Sequence, residues 1–282
     1  MTLEKIIEEA LKEDIGNGDH SSLLSVGAEE KGDTQLIAKA DGMIAGMVIG
    51  TQVFKQVDES LTVNLLLKDG TIVQKGDVLM RVSGSIRSIL SAERLVLNIM
   101  QRMSGIATIT NHYCQLIKGT HVRLLDTRKT TPNMRILEKM AVRIGGGYNH
   151  RMGLYDMIML KDNHIDFSGG IENAIKKANE YKTLNRLIIP IEVETRSLLE
   201  VEKVVKLGGV DRIMFDNFSV EEVRKGVELV HGCFETEASG NINEQTIRAY
   251  AETGVDFISV GALTHSVKSL DISLLAVKKD YL

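Results

Sequence analysis

Beyond residue 120 the chain repeats one pattern six times: a short apolar run ending in polar or charged residues, then a stretch with helical spacing. The runs are VRLLDTRKT, MIMLKDNH, LIIPIEVET, RIMFDNF, CFETEASG and FISVGALT. Continuous apolar runs suit strands buried on both faces, and alternation with helices implies a parallel sheet. Several helix ends are legible. Pro132 suits a first turn, Ser219 with Glu222 makes a capping box, and Asn243 with Gly254 brackets a third helix. An open doubly wound sheet and a barrel both fit this string. The barrel is favoured because nearly every run ends in chemically capable groups, whereas an open sheet gathers its ligands near one switch point.

Upstream, Leu3, Ile6, Ile7, Ala10 and Leu11 recur on one helical face, and Gly16 and Gly18 stop the helix. From Thr34 to Val82, short apolar runs are separated by Asp41-Gly42, Asp69-Gly70 and Lys75-Gly76-Asp77, the turn signals of a small β-rich module. A helix from about Ser91 to Gln101 and another after Gly105 are expected to join this module to the barrel.

With 34 Lys and Arg against 38 Asp and Glu, the net charge of -4 gives no global attraction to nucleic acid or an anionic membrane, so anion recognition must be local. No apolar run approaches the ~20 residues of a membrane span, and MTLEKIIEEALKED is charged where a signal peptide is apolar; a cytoplasmic protein is expected. Cys114 and Cys233 form no CxxC pair, which argues against a zinc site or disulfide framework.

The first strand end carries Asp126, Arg128 and Lys129, then Thr130 and Thr131, a cluster able to grip carboxylate or phosphate, or else an ordinary solvated loop. Gly145-Gly146-Gly147 precedes Tyr148, Asn149, His150 and Arg151 in the order helix, glycines, strand. A dinucleotide fingerprint has the reverse order, so a mobile anion-binding loop or a simple helix stop fits better. Lys161 closes MIML, where its ammonium could bind an anion, stabilise a leaving group or form a Schiff base. Glu192 and Glu194 share one face of a strand, and if that face is inward they need Lys161 or a metal ion. Asp216 ends the next strand as a sugar or Mg²⁺ ligand, or as a turn former. Ser239, Gly240, Gly261 and Ala262 could admit a phosphate to backbone amides, though tight turns use the same residues. LKDGTIVQKGDVLMRV has the look of a lipoyl-type module without a convincingly placed lysine.

In order, DTRKT (126–130), GGGYNHRMGL (145–154), KDNH (161–164), EVE (192–194), ASGN (238–241) and VGALTHS (260–266) resemble the quinolinate phosphoribosyltransferase family, with SAER (91–94) and SGIAT (104–108) extending the likeness over nearly the whole chain. The resemblance implies an incomplete α/β barrel of parallel strands, residues 104–266, beside an N-terminal α/β sandwich-like module, residues 1–103, joined by the segment 267–282. It implies a homodimer with a shared active site. Arg128, Lys129, His150, Arg151 and Lys161 would surround quinolinate, with Arg94 contributed by the partner subunit. Glu194 and Asp216 would face the ribose and Mg²⁺ of phosphoribosyl pyrophosphate, directly or through water, and Ser239, Gly240, Gly261 and Ala262 would take the 5′-phosphate. Lys161, Lys129, Glu194 and Asp216 would be the catalytic set.

The implied products are nicotinate mononucleotide, pyrophosphate and carbon dioxide, a step of NAD biosynthesis, with neither nucleic acid nor membrane as partner. Asn241 stands where many members carry glycine, and Tyr148 and Tyr155 occupy variable positions. Three rivals are a molybdenum-transport-associated relative, which intact KDNH disfavours, a Schiff-base lyase using Lys161, and a non-catalytic sensor barrel.

Overall fold

The computed structural model describes residues 2–277. Along the chain run α1 (Leu3–Ile15), α2 (His20–Ser25), β1 (Lys31–Ala38), β2 (Gly42–Met43), α3 (Met47–Val57), β3 (Thr62–Leu65), β4 (Ile72–Val73), β5 (Val78–Ser85) and α4 (Ile86–Leu116). Then follow β6 (Arg123–Leu125), α5 (Arg135–Ile144), β7 (Ile158–Leu160), α6 (Asp162–Ser168), α7 (Ile171–Leu184), β8 (Ile191–Thr195), α8 (Leu198–Leu207) and β9 (Arg212–Asp216). The remainder is α9 (Val220–Val230), β10 (Glu235–Ser239), α10 (Ile247–Ala251), β11 (Phe257–Ser259), α11 (Ala262–His265) and β12 (Ile272–Ala276). These form two compact units, the first from residues 2–111, 130–146 and 264–277, the second from 112–129 and 147–263.

In the first unit, β12, β1, β5 and β3 form an antiparallel sheet in that order. Thr34, Leu36 and Ala38 alternate as the buried face of β1, as period-two patterning requires. Thr2 caps α1 through its side chain, which accepts from the Lys5 amide at 3.3 Å, and Gly16 ends it at φ 54°. The helices expected on either side of Gly105 are one 31-residue helix, α4. Gly105 is there for packing: a Cβ would lie 3.1 Å from the Ser269 Cα and closer still to the Lys268 carbonyl oxygen. Close backbone approach has overridden the helix-breaking tendency of glycine. Residues 278–282 of the expected C-terminal segment lie outside the described residues.

The Gly145-Gly147 run, expected as a mobile anion-binding loop, also serves packing. A Cβ on Gly145 would meet the Thr110 Cβ at 2.6 Å and the Ala107 carbonyl oxygen at 2.7 Å, and Gly146 turns the chain at φ 95°.

In the second unit all six expected strands are present and parallel, in the order β6, β11, β10, β9, β8, β7. The first strand in sequence lies beside the last, and the others follow in chain order, which is the strand order of a barrel left open between β6 and β7. At the β6 edge of that gap Tyr148 continues the sheet, its N–H donating to the Leu124 carbonyl at 2.8 Å while its carbonyl accepts from the Asp126 N–H at 3.1 Å. The covering helices start as read from sequence: Ser219 and Glu222 form the capping box of α9, and Asn243 Oδ1 accepts from the Gln245 and Thr246 amides just before α10.

Candidate active site

The strands deliver their C-terminal residues in register. Leu160 pairs with Val193, which brings the next residues, Lys161 and Glu194, level, and Asp216 pairs with Ser239. Lys161 Nζ lies 2.9 Å from Glu194 Oε2, so the acid has the cationic partner its sequence position demanded. The other acid of the EVE string pairs differently, with His150.

Arg128 and Lys129 follow β6 as exposed side chains, with the Lys129 amide donating to Thr127 Oγ1 at 3.0 Å. Asp126 is fully buried and accepts the His150 amide at 2.8 Å, which pins the segment carrying His150 and Arg151 beside β6. Arg151 is buried, and its Nη1 donates to the Met157 carbonyl at 3.1 Å. Burial first, and the like charge of Arg128 second, pull the Arg151 guanidinium below its ordinary value. Two guanidinium groups that repel one another at strand ends could hold an anion, since a bound anion cancels the repulsion.

Asp216 Oδ2 accepts from Asn217 Nδ2 at 2.8 Å, and Asn217 Oδ1 accepts from Asn241 Nδ2 at 3.0 Å. Gly240 sits between them at φ 92°, where a Cβ would come within 2.9 Å of the Asn217 amide nitrogen. The departure at Asn241 has a local reason, since at φ 52° asparagine is the side chain that best tolerates the left-handed region. Gly261 follows β11 and Ala262 opens α11, so both sit at a strand end beside β6. Of the expected residues, Arg94 alone lies in the first unit, exposed on α4; Thr130 and Thr131 also belong there, held by Arg135 Nε (3.0 Å) and Glu138 Oε2 (3.2 Å).

Beneath the strand-end groups is a buried layer of which only His150 was expected in the site; Glu192, Glu237 and Arg212 were not. His150 Nε2 stands 2.9 Å from Glu192 Oε2 and 3.4 Å from Glu237 Oε2, and Arg212 Nη1 donates to Glu237 Oε2 at 2.9 Å. Burial depresses the imidazole pKa, and the close carboxylates of Glu192 and Glu237 more than reverse this, to about 9. Burial and then the Glu237 charge raise Glu192 to about 7, while Glu237, despite its own burial, is held below the usual carboxylate value by His150 and Arg212. The Arg151 N–H lies 2.7 Å from His150 Nδ1 and makes that nitrogen an acceptor. Nε2 is left facing the two carboxylates, and the ring and Glu192 both hold a proton more tightly than they would in water. The signal was present in the sequence: Glu235 and Glu237 repeat the two-residue spacing of Glu192 and Glu194 on a nearby strand.

His150, Glu192 and Glu237 also have the donor types of a metal site. Arg212 already supplies a cation to Glu237, and to Glu235 beside it, so part of the negative charge here is met without a metal ion. At the rim, Glu194 and Asp216 offer hard carboxylate oxygens on neighbouring strands, a donor set suited to Mg²⁺ that keeps part of its water shell.

The chain is similar to known proteins. The family model described as quinolinate phosphoribosyl transferase, N-terminal domain, matches residues 19–104, and that of the C-terminal domain matches residues 106–275. A nicotinate-nucleotide pyrophosphorylase [carboxylating], chloroplastic, of Oryza sativa subsp. japonica is 47% identical over 288 residues, covering 96% of this chain and 77% of the relative. A probable nicotinate-nucleotide pyrophosphorylase [carboxylating] of Bacillus subtilis (strain 168) is 44% identical over 274 residues, covering 97% and 93%. The crystal structure of NadC from Streptococcus pyogenes superposes with a TM-score of 0.92 at 39% identity, covering 98% of this chain and 97% of that one. With two family models spanning both parts of the sequence and relatives this similar over nearly the whole of this chain, the chain belongs to the quinolinate phosphoribosyltransferase family.

Proposed function

We propose that this chain transfers the phosphoribosyl group of phosphoribosyl pyrophosphate to quinolinate in a Mg²⁺-dependent reaction, with decarboxylation, giving nicotinate mononucleotide, pyrophosphate and CO2 in NAD biosynthesis. The observation that carries the reading is the division of the strand ends into a cationic side, with Arg128 and the buried Arg151 in mutual repulsion, and an acidic side, with Glu194 and Asp216. Lys161 adds a cation beside the acidic side, paired with Glu194. A planar dicarboxylate answers the first side, and a ribose with its pyrophosphate answers the second.

Arg128, Lys129, His150, Arg151 and Lys161 bind or orient the two carboxylates, and the pyridine nitrogen is left pointing at the sugar. Glu194 and Asp216 stabilise the positive charge that develops on the ribose as pyrophosphate departs and the nitrogen lone pair bonds to the anomeric carbon. These two carboxylates, directly or through water, would hold Mg²⁺, which when bound neutralises the leaving pyrophosphate. Ser239, Gly240, Gly261 and Ala262 take the 5′-phosphate on backbone amides.

Transfer leaves the ring nitrogen cationic. The bond to the neighbouring carboxylate then breaks, CO2 leaves, the electron pair stays on the ring carbon beside that nitrogen, and a proton replaces it. Lys161 acts through its charge. A Schiff-base role is disfavoured because its Nζ is paired with Glu194 and its side chain is 45% exposed, whereas an imine-forming lysine needs a desolvated neutral amine.

The proposal includes a cytoplasmic homodimer in which Arg94 reaches the partner's site; its exposure on α4 is compatible with that. No helix of the described residues is long and apolar enough to cross a membrane. The test is to supply quinolinate, phosphoribosyl pyrophosphate and Mg²⁺ and to follow nicotinate mononucleotide by chromatography. Product that disappears with a chelator and returns with Mg²⁺ is expected. Folded protein that makes none would overturn the reading.

A further inference from the structure

The layer of Glu192, Glu237 and Arg212 has no part in the mechanism above, and all three side chains are turned inward. Glu192 and Glu237 are fully buried, and only 12% of the Arg212 side chain is exposed, stacked 4.0 Å from the Phe257 ring centroid. Two buried carboxylates cost several kcal/mol unless paired, and apolar residues of similar volume would often pack as well. Their geometry says what they hold. His150 is gripped at its ring by the two acids, at its backbone N–H by Asp126 (2.8 Å), and at Nδ1 by the Arg151 N–H (2.7 Å). The bond from the Arg151 N–H to Nδ1 ties the backbone at Arg151 to the orientation of the ring.

We propose that Glu192 and Glu237, backed by Arg212, are positioning residues that fix the His150 ring and, through it, Arg151 for the dicarboxylate substrate. The proposal rests on the assignment of His150 and Arg151 to quinolinate. The acids act on substrate only through His150, so their loss weakens the pyridine side and spares the phosphoribosyl side.

The test uses Glu192→Gln, Glu237→Gln, His150→Gln and the double variant E192Q/H150Q, measuring quinolinate affinity by calorimetry and KM for each substrate. Each single glutamine variant is expected to weaken quinolinate binding about tenfold, with KM for phosphoribosyl pyrophosphate within about twofold of wild type. The double variant is expected to be no worse than H150Q alone, because groups acting through one another are not additive. Where a glutamine variant fails to fold, Glu192→Asp and Glu237→Asp keep the charge and are read by the same split. Additive losses, equal changes in both KM values, a lowered melting temperature with unchanged KM, or one equivalent of tightly held metal in the purified protein would each overturn it. A wild-type enzyme that binds no quinolinate would instead remove the underlying site assignment.

Discussion

Gly240→Ala is the substitution whose cost can be worked most directly from the coordinates. At φ 92° an alanine pays about 1–2 kcal/mol for the left-handed backbone. Its Cβ would also press on Asn217, both on the side-chain oxygen and, at 2.9 Å, on the amide nitrogen. Asn217 cannot yield freely, because it donates to Asp216 Oδ2 at 2.8 Å and accepts from Asn241 at 3.0 Å. Losing both bonds adds about 0.5–1.5 kcal/mol each, for a sum of about 2–5 kcal/mol. The damage lands on a proposed ribose ligand and on the phosphate loop, so KM for phosphoribosyl pyrophosphate is expected to rise at least tenfold while calorimetric affinity for quinolinate alone stays within about twofold. Urea unfolding should show a lower midpoint with an unchanged slope. A G240A enzyme with wild-type KM and a wild-type midpoint would refute the reasoning. Asn241→Gly is the control. It keeps the backbone allowed and removes one hydrogen bond, so only a small change is expected.

Lys161→Ala should cost about a hundredfold or more in kcat/KM without unfolding the protein, with some loss of stability because the pair joins a 45% exposed lysine to the buried Glu194; wild-type turnover would remove the role. The His150 layer predicts a pH effect. His150 and Glu192 both have folded pKa values above their unfolded ones, so the folded protein holds the extra proton. The stability it contributes is present in full below the unfolded values and is lost as pH rises through about 7 to 9. Denaturant midpoints should fall across that window, and His150→Gln should flatten the slope; an equally steep slope in the variant would contradict this. Mixing Arg94→Ala with Lys161→Ala chains should restore partial activity in hybrid dimers if Arg94 acts across subunits, and no recovery at any ratio would count against a shared site.

The six strands beyond residue 120 were legible because burial on both faces writes itself as unbroken apolar runs, and the charged residues closing them were legible as strand ends. Lys161 and Glu194 were each recognisable alone, and only the register of β7 against β8 shows that they meet. Glycine misled at Gly105, which reads as a break and lies within one helix; the Gly145 run does stop α5, as one reading had it, and in both places the missing Cβ makes room for another part of the chain. For the buried partners of His150 the repeated Glu-x-Glu spacing was a signal, but it did not say which acid turns inward. Glu237 and Arg212 come from strands far along the sequence, and nothing local distinguishes an inward acid from an outward one. That Glu192 pairs with His150 instead of Lys161 is a fact of the third dimension.

Decarboxylation after phosphoribosyl transfer is the central claim, and label release tests it most directly. Quinolinate labelled in the carboxylate beside the ring nitrogen is incubated with enzyme and Mg²⁺, with and without phosphoribosyl pyrophosphate, and labelled CO2 is counted against pyrophosphate. The account predicts no CO2 without the sugar donor and equal amounts of CO2 and pyrophosphate with it. CO2 released from quinolinate alone, or pyrophosphate formed without CO2, would contradict it.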